Sequence, residues 1–128
     1  MMNIGMTKVM FDTGGVSTAP VKIKTVYLFD EDNSYRSINI EYTSMSDNPI
    51  SGIRFAWYGV DAFNEPADMG GTIERGFGHG TIDHTLHPHE TKTATFNMNS
   101  RDAKKVLQCW PDKVGFIDGT KWESTIVN

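Results

Sequence analysis

Leucine and alanine are scarce in this chain of 128 residues: 3 and 6, against 8 valines, 10 isoleucines and 13 threonines. A helical bundle of this length needs the straight-chain and small residues that lose little freedom in a helix, so bundles are excluded. β-Branched side chains pack well on a pleated surface, and their excess points to sheet. A single cysteine, Cys109, excludes an intramolecular disulfide framework. No apolar run approaches the ~20 residues that a membrane-spanning helix requires, so no transmembrane segment is expected. Basic residues are not in excess: 12 Lys and Arg stand against 16 Asp and Glu, a net charge of −4, which is the wrong sign for a nucleic-acid binder. The first six residues have no basic stretch followed by an apolar one, so no signal peptide is visible.

What is present is alternation. Val21, Ile23, Thr25, Tyr27 and Phe29 alternate against Lys22 and Lys24 and are expected to share the buried face of a strand, as are Ile38, Ile40 and Tyr42 against Asn39, Glu41 and Thr43. Ile53, Phe55 and Trp57 continue it. Here the opposite positions, Ala56, Tyr58 and Val60, are apolar as well, so this strand is expected to be covered on both faces. Residues 61–84 carry five glycines and read as a long irregular connection with a short strand at 72–75. Ala94, Phe96 and Met98 alternate with Thr95 and Asn97. Asn99 and Ser100 then offer a cap, from which a short helical turn is expected at 101–107, ahead of Trp110 and Pro111. Asp118-Gly119 is a two-residue hairpin signal, because both turn positions favour positive φ. Residues 7–11 form one more apolar run, ended by a Gly-Gly turn. The expectation is a single all-β domain over residues 1–128, an antiparallel sandwich of about seven or eight strands, with 1–6 as a disordered N-terminus. At this length roughly two-thirds of the unfolded surface can be buried without metal or disulfide.

The stretch IRFAWYGVDAFNEPADMG at 53–70, followed by DAKKVLQCWPDKVGFIDGTKW at 102–122, resembles small bacterial immunoglobulin-like β-sandwich modules of uncharacterised function. The resemblance covers about the last 90 residues. It implies an immunoglobulin-like fold and favours an extracytoplasmic or cell-envelope setting. It implies no catalytic residue and no cofactor.

Several clusters invite a chemical reading. All four histidines, His79, His84, His87 and His89, fall within eleven residues. His84, His87 and His89, with Asp83 or Glu90, are the candidates for a zinc site and hence for a metal-dependent hydrolase. Pro88 favours a turn there, and the spacing matches no zinc module, so solvated loop histidines are the plainer expectation. Asp61, Glu65 and Asp68, and Asp30, Glu31 and Asp32, are acidic groups suited to calcium or acid–base work, although neither follows an EF-hand register. In the first loop Phe63 is expected to pack inward. Cys109, between Gln108 and Trp110, is expected to be a buried inert thiol. No Gly-x-Ser-x-Gly elbow is present. The GFGHG of 76–80 lacks the Lys-Ser/Thr ending of a phosphate loop and reads as a flexible connection.

With no placed nucleophile, base or cofactor loop, a non-catalytic binding or interaction module is the expected function, its partner a protein or a glycan. If Tyr58, Trp110 and Trp122 were exposed together, they would form a stacking platform for sugar rings, as in a carbohydrate-binding module. Trp57 belongs to the core by its phase.

Overall fold

The computed structural model describes residues 18–30, 36–70 and 75–124. Seven strands follow in chain order: β1 (Val21–Asp30), β2 (Arg36–Ser44), β3 (Ile50–Val60), β4 (Phe77–Ile82), β5 (Thr91–Ser100), β6 (Lys105–Phe116) and β7 (Lys121–Glu123). They form a three-stranded sheet, β1-β2-β5, and a four-stranded sheet, β4-β3-β6-β7, with every pair antiparallel. The chain crosses between the sheets from β2 to β3, from β4 to β5 and from β5 to β6. The result is a β-sandwich, as the alternation predicted. The expected strand at 7–11 and residues 1–6 lie outside the described residues, as do 72–74 of the expected strand at 72–75.

The core lies between the sheets and is built by the alternation itself. Ile38, Ile40 and Tyr42 of β2 face Ile53, Phe55 and Trp57 of β3, all at most 1% exposed. Rings interlock across the gap: Tyr42 meets Phe55 at 5.0 Å between centroids, and Phe96 of β5 meets Trp57 at 5.7 Å. With three leucines available, aromatic volume replaces aliphatic volume. The GFGHG segment is not a flexible connection but most of β4. Gly78 and Gly80 lie opposite Trp57 and Phe55 on the core side. A Cβ on Gly80 would stand 2.6 Å from the Phe96 ring, and one on Gly78 would overlap the Trp57 indole and the Met69 carbonyl. Glycine is required there by close approach rather than by backbone angle.

No helix occurs among the described residues, so the turn expected at 101–107 is corrected. The cap does form: the Ala103 amide donates to Ser100 Oγ at 3.2 Å. The chain then goes straight into β6, with the Lys104 amide on Val60 O at 2.8 Å and Lys105 opposite Val60. One helical turn fixes several residues for a single hydrogen bond. The strand instead gains a ladder with β3 and buries Val106 to 1% exposure. Register slips beside Phe55 and Tyr58 leave Asp112 and Leu107 as extra residues in β6. The β7 ladder covers Lys113, Val114 and Gly115 only, so Pro111, which has no N–H, sits beside the Asp112 bulge where β6 is paired with β3 alone. A hairpin forms at Asp118-Gly119, but not as the expected two-residue turn with both angles positive: residues 117–120 lie between β6 and β7, and of these Gly119 alone takes a positive φ, 94°.

Candidate interaction site

Directly opposite residues in a sheet share a face, so the register assigns the outward rows of the four-stranded sheet. The first row is Phe77, Tyr58 and Gln108, the second His79, Ala56 and Trp110, the third Thr81, Arg54 and Lys113. Trp110 and Ala56 are fully buried and pack with Phe77. Tyr58 is half-buried, its ring 4.7 Å from that of Phe77. Trp122 pairs with Val114 and packs against the inter-sheet core, on the other face of the sheet. The three rings therefore do not form one platform. Trp110 presents no open ring, and Trp122 points away from the other two. The expectation that β3 is apolar on both faces does hold.

The histidines are likewise separated. The His87 amide donates to Glu90 Oε1 at 2.8 Å, and its Nδ1 lies 3.2 Å from the same oxygen. The amide bond from His87 is the main reason that the Glu90 carboxyl is held below the ordinary carboxylate range. His89, at φ 63°, reaches Asp47 with its Nε2 at 2.9 Å. His84 is exposed. These contacts close the β4–β5 turn and tie it to the β2–β3 loop. Among the described residues no group of three or more His, Cys, Asp or Glu side chains is placed to hold a metal ion. Cys109 faces Trp57 across the ladder, and burial pushes its thiol pKa up, away from the reactive thiolate.

The β3–β4 loop departs most from expectation. Phe63 does not pack inward: it is 80% exposed, the most open large apolar side chain described. The backbone around it is fixed in detail. Asp61 Oδ1 accepts the amides of Phe63 at 2.8 Å and Glu65 at 3.1 Å. The Asn64 amide donates to Asp61 O and the Asp61 amide to Glu65 O, while Val60 bridges Pro66. Asn64 takes φ 61°, a left-handed angle that asparagine tolerates better than most residues. This turn directs side chain 63 away from the sheets. An aspartate that folds its chain back three residues later on an asparagine was the legible signal. The inward reading followed apolarity alone.

The loop is braced from below. Asp102 Oδ1 accepts the Asp68 amide at 3.1 Å, and Asp102 Oδ2 pairs with Arg75 at 2.7 Å. Arg75 also donates to Pro66 O. Asp68 Oδ1 accepts the Gly70 amide. Asp61 and Asp68 thus hold turns. Asp30 pairs with Arg36, and Glu31 and Asp32 lie outside the described residues. Partial burial raises the Asp102 pKa, but the Asp68 amide, the Arg75 guanidinium and the Ser100 hydroxyl outweigh it and hold the carboxyl below its ordinary range. A carboxyl depressed in the folded state contributes stability above its unfolded pKa and loses it as pH falls through the folded value. Asp102→Asn is therefore expected to flatten the acid side of a melting-temperature curve below roughly pH 4. Superimposable acid limbs for variant and wild type would show that the brace contributes nothing.

No known family profile matches the chain, and no curated protein does. A crystal structure of a hypothetical protein from Peptoclostridium difficile 630 is similar, with a TM-score of 0.61. The match covers 84% of this chain and 88% of that one, at 11% sequence identity. The two share a fold. At this identity the likeness extends no further than the sandwich itself.

Proposed function

We propose that this chain is a non-catalytic interaction module of immunoglobulin-like type that engages a protein partner through Phe63. The strand distribution supports the fold assignment. The first, second and fifth strands share one sheet and the third, sixth and seventh the other, as in immunoglobulin domains, with the fourth here beside the third. The resemblance of residues 53–70 and 102–122 to bacterial envelope modules belongs to the same proposal.

The observation that carries the function is an 80% exposed phenylalanine on a loop already locked by its own hydrogen bonds. An exposed ring of this size offers about 1.5–3 kcal/mol when a partner buries it. Because the loop is ordered beforehand, little of that is spent on fixing it. A rigid aromatic that holds nothing in the fold has the character of an interface anchor.

The test compares wild-type and Phe63→Ala protein as immobilised baits in lysate of the source cells, alongside thermal melts. Folding stability is expected to stay within about 0.5 kcal/mol, since the Phe63 side chain is exposed. Recovery of the partner is expected to fall about tenfold or more, the equivalent of about 1.4 kcal/mol. A partner recovered equally by both baits would place the interface elsewhere.

A further inference from the structure

At the end of β3 away from Phe63, the four-stranded sheet carries a groove with a floor of glycine. Gly52 of β3 stands opposite Gly115 of β6, and the two lie between Arg54, Lys113, Thr81 and Asp83 in a groove of about 290 Å³. The fold accounts for Gly52, because a Cβ there would lie 3.2 Å from Ile82 O. It does not account for Gly115. That residue is paired on both sides, with Gly52 and with Lys121, and its φ is not positive. A Cβ on it would meet Ser51 Oγ alone, at an ordinary 3.5 Å. The local bulge is carried by Ser51 on the partner strand. A glycine weakens a strand interior, and one that neither backbone angle nor packing demands marks a close approach to the backbone. The charges beside this floor are unevenly met. Arg54 and Lys113 stand directly opposite each other, an unfavourable like-charged pair. Asp112 Oδ2 holds Arg54, accepting Nε at 3.0 Å and Nη2 at 2.8 Å. Lys113 has no such partner: its Nζ is 3.9 Å from Glu123 Oε2, beyond hydrogen-bond reach, and Lys121 takes that oxygen at 3.3 Å. On the other bank, just past β4, Asp83 is exposed and has no hydrogen-bond or ion-pair partner among the described residues.

We propose that this groove binds a dipeptide-sized zwitterion, its carboxylate on Lys113 beside Arg54, its ammonium on Asp83 and its backbone over Gly115. The charges argue for a zwitterion, because a spare cation stands on one bank and a spare carboxylate on the other. A carboxylate at Lys113 also relieves the repulsion from Arg54, and both end contacts are hydrogen bonds of the stronger, charge-assisted kind. The dimensions argue for two residues. The strands of the two banks, β4 and β6, are two spacings apart, about 10 Å. An extended dipeptide is about 7 Å long and comes within a hydrogen bond of each bank, whereas a single amino acid cannot reach both. The volume is at the small end of the range for ligand sites, as a ligand of this size requires. The groove and the Phe63 loop lie at opposite ends of β3, and the proposal does not rest on the protein-partner reading.

The probes are dialanine, the same dipeptide acetylated and amidated at its ends, and free alanine, each titrated to millimolar concentration into isotopically labelled protein and followed by amide NMR. Saturable shifts are expected with dialanine at Gly52, Thr81, Asp83 and Gly115. The capped dipeptide and alanine are expected to bind at least tenfold more weakly, the first for want of charge and the second for want of length. Gly115→Val fills the floor with a side chain suited to a strand, and it is expected to abolish binding without lowering the melting temperature. Lys113→Gln and Asp83→Asn, both at the surface, are each expected to weaken binding about tenfold. Phe63→Ala is expected to leave it unchanged. Any of four results would overturn the proposal: no saturable shift with dialanine, shifts centred on another part of the molecule, equal binding of the capped dipeptide or of alanine, or undiminished binding by a folded Gly115→Val or Lys113→Gln variant.

Discussion

Gly78→Ala is expected to cost about 3 kcal/mol or more, although it adds a single methyl group. The backbone of β4 passes directly over the Trp57 indole, and the new Cβ would overlap both Trp57 Nε1 and Met69 O. Those two atoms are already joined by a buried hydrogen bond at 3.0 Å. Neither has room to retreat: Trp57 is 1% exposed and Met69 is 1% exposed. The clash must move β4 away from β3 or drive the indole from its rotamer, and the second route also breaks the hydrogen bond, worth about 1 kcal/mol. For a domain whose total stability is of the order of 5–15 kcal/mol, this is a large fraction. The control is Gly119→Ala. It meets nothing within 4 Å but keeps φ 94°, so its cost is the backbone term alone, about 1 kcal/mol. Urea unfolding of the two variants checks the ordering. Equal effects at the two sites would mean that contact with Trp57 does not limit β4.

Trp110→Ala is expected to destabilise by about 3–5 kcal/mol, the range for deleting a fully buried large aromatic. Its side chain is 0% exposed and packs with Ala56 and Phe77 on the outward row of the four-stranded sheet. The measurement is again denaturant unfolding, with the midpoint falling and the slope unchanged. Trp122→Ala should cost less, because that ring is only half-buried. The pair separates two views of these tryptophans. A sugar-stacking surface residue would be removed at nearly no cost in stability, whereas a loss of less than about 1 kcal/mol for Trp110 would contradict its burial here.

Most of the sandwich was legible because a strand half in water must alternate, and the period survives in the residues themselves. The phases of Ile38, Ile40 and Tyr42, and of Ile53, Phe55 and Trp57, named the core directly. The Asp118-Gly119 turn named its hairpin. Two local signals misled for an identifiable reason. Ser100 and its neighbours carry real capping chemistry, and the cap bond to Ala103 forms, but the ladder between β6 and β3 outweighs a helix of one turn. The glycines of 76–80 suggest flexibility, whereas two of them are present because Trp57 and Phe96 occupy the space that side chains would fill.

The candidate sites were harder to read. Tyr58, Trp110 and Trp122 look equivalent along the chain, yet the register and bulges of β6 send them to different faces and depths. What the sequence determined by itself was the all-β class, the inward phase of β2, β3 and β5 and the place of the closing turn, because these follow from periodicity and backbone preference within a few residues. In β1 a bulge between Ile23 and Thr25 breaks the expected phase, turning Tyr27 outward and Val26 and Leu28 to the core. Neither β4 nor the start of β6 follows from local sequence. What only the tertiary structure decided was which outward residues stand side by side and which are covered. Those depend on strand order and register, which arise when the two sheets close on each other to bury their apolar faces.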